Sequence, residues 1–239
     1  MCIKIMSTRK FKLKKVRVSF MLICLSLTIF MMPTFAAARG YYFNGAVYKA
    51  NNNGGAINLE VGNPVVDVSN FSDVSAWVMT CDGSKYFDYA QVGWYKDYNY
   101  STPKYFYEYS YGSDFWRKVT LGYATPGNFN DYRVGCDSSK MYFIIDNISY
   151  GTVNLTDIPF TRNCVQYFGE THEIADQCPG TVTNPISFSY SQYKTTSNVW
   201  LTINATNPNS LGYGDLTTMR NNILSSGSWT WEIWDSRYY

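Results

Sequence analysis

The chain has 239 residues, 46% of them hydrophobic and 18% aromatic, with 20 basic side chains, 18 acidic ones and one histidine. Seven of the basic residues and none of the acidic ones precede Arg39, so the remainder carries 13 positive against 18 negative groups, a net charge of −5. Such a surface has no electrostatic drive toward nucleic acid or anionic lipid, and one imidazole excludes a zinc hydrolase built on several.

Lys4, Arg9, Lys10, Lys12, Lys14, Lys15 and Arg17 precede an apolar run from Val18 to Met32, and Ala36-Ala37-Ala38 offers small residues for cleavage. Residues 1–38 therefore read as an export signal of the Gram-positive bacterial kind, and 39–239 as one secreted domain, expected to be monomeric. The apolar run is 15 residues long, short of the roughly 20 needed to span a bilayer. No stable membrane insertion is expected after signal removal; an uncleaved anchor is the alternative.

Strand signals then recur to the end of the chain. Tyr41–Lys49, Ala56–Val61, Ala76–Thr80, Tyr89–Tyr95, Lys104–Ser110, Arg117–Tyr123 and Asp131–Cys136 alternate with period two and are rich in β-branched or aromatic residues. The same holds for Met141–Ile145, Ser149–Leu155, Cys164–Glu170, Ile186–Tyr193, Trp200–Asn204 and Ser228–Trp234. Asn52-Asn53-Gly54-Gly55, Thr125-Pro126-Gly127-Asn128 and Asp146-Asn147 punctuate them as turns. Only Leu216–Leu224 reads as a helix, with Asp215 as its N-cap and Gly227 beyond its end. So many strands in about 200 residues require two packed antiparallel sheets, and a jelly-roll sandwich is the predicted all-β fold. Ten of the 22 tyrosines fall between Tyr86 and Tyr123, as suits a half-wet concave sheet where rings pack and hydroxyls reach a ligand.

Cys81, Cys136, Cys164 and Cys178 follow the leader, an even number in an oxidising compartment, and two disulfides are expected. The favoured pairing is Cys81 with Cys136 and Cys164 with Cys178, out of three that the count allows. No two stand in a C-x-x-C arrangement, so no metal site is expected. There is no G-x-S-x-G elbow for a serine triad and no glycine-rich phosphate loop. Chemistry is left to carboxylates and amides on strands. Glu108 lies in Tyr107-Glu108-Tyr109, and Glu170 shares a strand face with Gln166, Phe168 and His172. Carboxylates among aromatics lose hydration, which raises their pKa and equips them for proton transfer in mild acid. Trp229, Trp231 and Ile233 alternate onto one face and read as a core-closing strand.

The series Trp77-Val78 … Asp82-Gly83, then Gln91-Val92-Gly93, then Tyr107-Glu108-Tyr109 resembles the ordered motifs of the eqolisin-type glutamic peptidases, secreted jelly-roll proteins of the concanavalin A-like class. That family carries W-V-G-I-D-G, L-Q-T-G and an aromatic-flanked Y-E-W, followed by a catalytic glutamate on another strand of the same sheet. Here Val78-Met79-Thr80-Cys81-Asp82 holds one residue more than V-G-I-D, and the threonine after the glutamine is absent. The resemblance implies that Gln91 is the catalytic glutamine and that Trp77, Asp82 and Glu108 line the groove. It makes Glu170, in Phe168-Gly169-Glu170, the best candidate for the catalytic glutamate, and implies no metal or organic cofactor.

Two other classes use the same residues. A glycoside hydrolase would take Glu108 and Glu170 as nucleophile and acid/base, although the E-x-D-x-E strand motif of one β-glucanase group is missing. A non-catalytic, lectin-like carbohydrate- or cell-surface-binding domain would use Trp77, Trp94 and Trp116 to stack on sugars or grip a peptide. The expected ligand is thus a polypeptide or a polysaccharide, with Trp77, Asp82, Trp94, Glu108 and His172 as binding residues around Gln91 and Glu170.

Overall fold

The structure, a computed structural model, describes residues 40–68, 72–85 and 87–239. The proposed export signal lies outside the described residues. Among the described residues, fifteen strands account for the regular structure. In the first half they are β1 (Tyr42–Lys49), β2 (Gly54–Glu60), β3 (Asp73–Cys81), β4 (Tyr89–Asp97), β5 (Lys104–Tyr111), β6 (Phe115–Tyr123) and β7 (Phe129–Cys136). The second half holds β8 (Lys140–Ile145), β9 (Ile148–Asn154), β10 (Cys164–Thr171), β11 (Ile186–Lys194), β12 (Trp200–Thr202), β13 (Ser210–Gly214), β14 (Met219–Ser225) and β15 (Thr230–Asp235).

They form two antiparallel sheets, one ordered β13-β1-β10-β3-β4-β5-β6 and the other β14-β15-β11-β2-β7-β8-β9, with β12 beside β11. This is the predicted all-β jelly-roll sandwich. Turn chemistry sets the hairpins. Asp146 and Asn147, the two residues between β8 and β9, both have positive φ (51° and 65°), as a two-residue type I′ turn demands. Pro126-Gly127 sits inside a turn closed by the Asn128 N–H on Thr125 O at 3.1 Å, with Gly127 at φ 82°, the position where a type II turn requires glycine.

Alternation divides each strand of the first sheet between core and groove. Ala76 and Val78 of β3, Ala90, Val92 and Trp94 of β4, and Val165 and Tyr167 of β10 face inward against Ile57, Leu59, Tyr132, Val134, Phe143, Phe188, Trp231 and Ile233 of the second sheet. Each such side chain contributes about 1.5–3 kcal/mol by leaving water, which fixes the strand register and so fixes what faces out. Trp229, Trp231 and Ile233 close this core, as their alternation predicts. The opposite face of the first sheet carries a smaller aromatic cluster of Trp77, Tyr95, Phe106 and Phe168, with Phe43, Met79 and Tyr100 against it.

Two expectations are corrected. The segment read as a helix over Leu216–Leu224 is β14, paired with β15 from Met219↔Asp235 to Ser225↔Thr230. Asn221 and Asn222 are poor helix formers, and a nine-residue helix is marginal without packing. As an edge strand it instead gains a ladder of hydrogen bonds to β15 on one side. Asp215 caps nothing helical: its carboxylate accepts from Phe43 N at 3.0 Å and its own N–H donates to Phe43 O at 2.9 Å. The second concerns the favoured cysteine pairs: Cys81, Cys136, Cys164 and Cys178 stand as thiols among the described residues, and neither favoured pair is brought together. Cys81 shares the groove face of β3 with Trp77 and Met79, whereas Cys136 points into the core with Tyr132 and Val134. Cys164 opens β10, whereas Pro179, the residue after Cys178, packs on Gly169 five residues along that strand, about 16 Å away. Neither expected pair can meet.

Candidate active site

The groove face is built outward from Trp77. In the ladder Trp77 stands opposite Phe168 of β10 on one side and Gly93 of β4 on the other. Glu170 lies two residues beyond Phe168, opposite Ser75; Gln91 lies two residues from Gly93 in the other direction, opposite Met79. Period two puts all of them on one face, so Glu170 and Gln91 flank the indole on opposite diagonals. Gly93 is required at this point. A Cβ there would sit 2.7 Å from Trp77 Cβ and 2.1 Å from Ala76 O.

Glu170 is 7% exposed and held through both carboxylate oxygens. Oε2 accepts from Trp77 Nε1 at 2.7 Å and from Ser75 Oγ at 3.3 Å. Oε1 meets His172 Nε2 at 3.1 Å. The other nitrogen of the ring, Nδ1, is 3.0 Å from Asp73 Oδ1, and Asp73 Oδ2 accepts from Lys118 Nζ at 3.0 Å. Charges of alternating sign thus run from Glu170 through His172 and Asp73 to Lys118. Burial alone would lower the His172 pKa, but the hydrogen bonds and charges of Asp73 and Glu170 outweigh it and raise it to about 10. Burial opposes ionisation of Asp73 too, yet His172 and Lys118 hold its pKa down at about 2. Tyr41 stands edge-on to the His172 ring with centroids 4.5 Å apart.

Glu108 forms a second centre. It lies opposite Gln91 in β4 and Lys118 in β6. Its Oε1 accepts from Trp116 Nε1 at 2.9 Å and from the hydroxyl of Tyr89. Burial raises its pKa against those donors and Lys118, and the charge of Glu170 adds to the rise. Lys118 Nζ lies 3.9 Å from the ring centroid of Tyr95, a cation–π contact that holds it in the groove. Burial works against its charge, but Asp73 and Glu108 raise its pKa. Gln91, only 6% exposed, has an amide oxygen with no hydrogen-bond partner among the described residues. A buried polar atom in that condition calls for a water or a ligand group.

The remaining sequence-predicted residues take other places. Asp82 follows β3 and holds a turn, accepting from Ser84 N at 3.0 Å and Ser84 Oγ at 2.6 Å, with Asn163 Nδ2 at 3.5 Å. Trp94 is not in the groove: it shares the core face of β4 with Ala90 and Val92, is fully buried, and donates to Glu60 O at 2.9 Å. Alternation from Gln91 dictates this, because a residue three positions on must face the other way. Asp73, Ser75, Tyr89 and Lys118 were not singled out from sequence. Asp73-x-Ser75-x-Trp77 continues the groove alternation backward, and that periodicity was the available signal. Tyr89 is the residue two before Gln91 on the same face; nothing local marks Lys118, which is brought opposite Glu108 only by strand pairing. Among the described residues no group of three metal-ligating side chains is assembled.

The fold is a two-sheet jelly roll that sets two buried glutamates and a buried glutamine on the outer face of one sheet. Among solved structures, scytalidoglutamic peptidase with a peptide-based transition-state analogue is similar at a TM-score of 0.62 and 11% identity, over 83% of this chain and 100% of that one. SCP-B, a member of the eqolisin family of peptidases in complex with the tripeptide Ala-Ile-His, is similar at 0.60 and 10% identity with the same coverage. A glycoside hydrolase family 16 endo-glucanase from Bacteroides ovatus is more distant, at 0.37 over 56% of this chain and 66% of its own. At 10–11% identity the likeness to the two peptidases is one of fold. No protein-family model and no curated protein sequence matches the chain.

Proposed function

We propose that the protein is a secreted hydrolase of polypeptides whose working pair is Glu170 and Gln91. The observation that carries this is the diagonal arrangement about Trp77: a glutamate fixed by the indole at 2.7 Å and, on the other diagonal, a buried amide whose oxygen has no hydrogen-bond partner among the described residues. A carboxylate held through both oxygens can take a proton from a water without rotating. That water attacks the scissile carbonyl carbon, and the amide of Gln91 donates to the oxygen as charge develops on it. One well-placed donor of this kind is worth about 3 kcal/mol of barrier. Collapse of the tetrahedral intermediate breaks the C–N bond, and Glu170 returns its proton to the leaving amine. Water and one peptide bond are consumed; an acid and an amine are released.

His172 and Asp73 act through Glu170 by fixing its orientation. Glu108, with its raised pKa, supplies a carboxyl group beside Gln91 that can donate to a substrate carbonyl in mild acid. The reading is tested by assaying hydrolysis of unfolded casein and of β-glucans between pH 3 and 7. Casein cleavage that disappears in Glu170→Gln and falls about 10²–10³-fold in Gln91→Ala is the expected result. Glucan hydrolysis insensitive to Gln91→Ala, or casein cleavage retained by Glu170→Gln, overturns it.

A further inference from the structure

We propose that Cys81 and Cys164 form a disulfide, different from either pairing the sequence suggests, and that this bond clamps β3 to β10 at the Asp82 end of the groove. The two residues are direct partners in the ladder between those strands. Residues directly opposite in antiparallel strands have Cα atoms about 4.5 or 5.5 Å apart, and disulfides span about 4.4–6.8 Å. Alternation puts both side chains on the same face, since Cys81 follows Trp77 and Met79 by steps of two and Cys164 precedes Gln166 and Phe168 likewise. The Cys81 thiol already lies over its partner, with Sγ 3.7 Å from Cys164 O. Gly83 keeps the neighbouring turn close, since a Cβ there would meet Cys164 Cβ at 3.2 Å. Cys136 and Cys178 have no such partner: the first is packed in the core, and the second donates its backbone N–H to Asp235 Oδ2 at 2.9 Å.

The chemistry is thiol–disulfide exchange with a small disulfide such as oxidised glutathione. The Cys164 thiolate attacks one glutathione sulfur, forming a mixed disulfide and releasing one glutathione thiolate. Cys81, on losing its proton, then attacks Cys164 Sγ and releases the second. Two protein thiols are oxidised and one glutathione disulfide is reduced to two thiols. The Cys164 thiol is the easier to deprotonate, because the hydrogen bond from Cys81 lowers its pKa while the same bond and burial raise that of Cys81. Both sulfurs are buried in the folded domain, 3% and 2% exposed, so the exchange belongs to folding, and the finished bond is shielded from reductants. The link joins residues 83 apart in sequence, and a loop that long removes much freedom from the unfolded chain. It also fixes the register that sets Trp77 against Glu170, four and six residues along the two strands.

The test is peptide mapping of the full chain refolded in a glutathione redox buffer and alkylated without reduction. The expected result is one linked pair, Cys81–Cys164, with Cys136 and Cys178 alkylated only after denaturation. Free Cys81 and Cys164, or either thiol linked to Cys136 or Cys178, overturns the proposal. A thermal melt of the same sample before and after reduction is the second readout. The oxidised form should melt several degrees higher, and a C81S/C164S variant should melt with the reduced form; identical melts of the oxidised and reduced wild-type chain contradict the clamp. Neither readout depends on hydrolysis, so failure here leaves the proposed activity untouched.

Discussion

The indole Nε1 of Trp77 donates to Oε2 of Glu170 at 2.7 Å across the β3–β10 ladder. Because the two residues are diagonal partners rather than opposite ones, this bond ties successive rungs of the ladder together. Trp77→Phe keeps most of the ring packing and deletes the donor. It should lower casein turnover 10- to 100-fold and cost about 1–2 kcal/mol of stability, the loss of one of the two donors to a buried charged oxygen. Kinetics and urea melts of the same variant measure both.

His172 makes stability depend on pH with a definite sign. Its folded pKa, about 10, is above the ordinary value of 6.5. Its contribution is therefore fully present below pH 6.5, declines above it and is gone once the pH has risen through 10. Asp73 has the opposite sense: held at about 2 against 3.8, it stabilises above about pH 4 and loses its effect as the pH falls through 2. His172→Asn should melt well below wild type at pH 6, and the gap should close by pH 10.5. A gap that is constant across this range rules out the ion-pair account.

Glu108 carries a raised pKa caused first by burial. A carboxyl whose folded pKa exceeds its unfolded one binds its proton more tightly when native, so its contribution falls as the pH rises past about 4.5. Glu108→Gln removes that dependence while keeping an acceptor for Tyr89 and Trp116. The difference in melting temperature between variant and wild type should therefore be more positive at pH 7 than at pH 4. The opposite trend would mean that attraction to Lys118 dominates burial.

Trp94 tests the division between core and groove. Its ring is enclosed among inward-facing residues and its Nε1 is bonded to Glu60 O. Trp94→Ala should cost about 3–5 kcal/mol, as large-to-small changes in a core do. The affinity of the surviving folded fraction for a peptide should be unchanged. Weakened peptide affinity with little loss of stability would return Trp94 to the groove.

Much of the sandwich was legible in the sequence because period-two alternation and turn residues are local signals. Trp229-x-Trp231-x-Ile233 and the Asp146-Asn147 turn were read correctly for that reason. Glu170 and Gln91 could be placed on strands, and alternation from Gln91 already told against Trp94. What was not legible depends on pairing between strands distant in sequence. Cys164 meets Cys81, and Lys118 meets Glu108, only because strand order and register bring them together. The Leu216–Leu224 segment has too weak a period to distinguish helix from edge strand, and pairing with β15 decides it.

The most direct test of the central claim is a double-mutant cycle of kcat for casein hydrolysis with Glu170→Gln, Gln91→Ala and the combined variant. If the two residues serve one tetrahedral intermediate, each single change lowers kcat at least 100-fold and the pair costs little more than Glu170→Gln alone. Fully additive losses, or a Glu170→Gln enzyme with wild-type turnover, would contradict it.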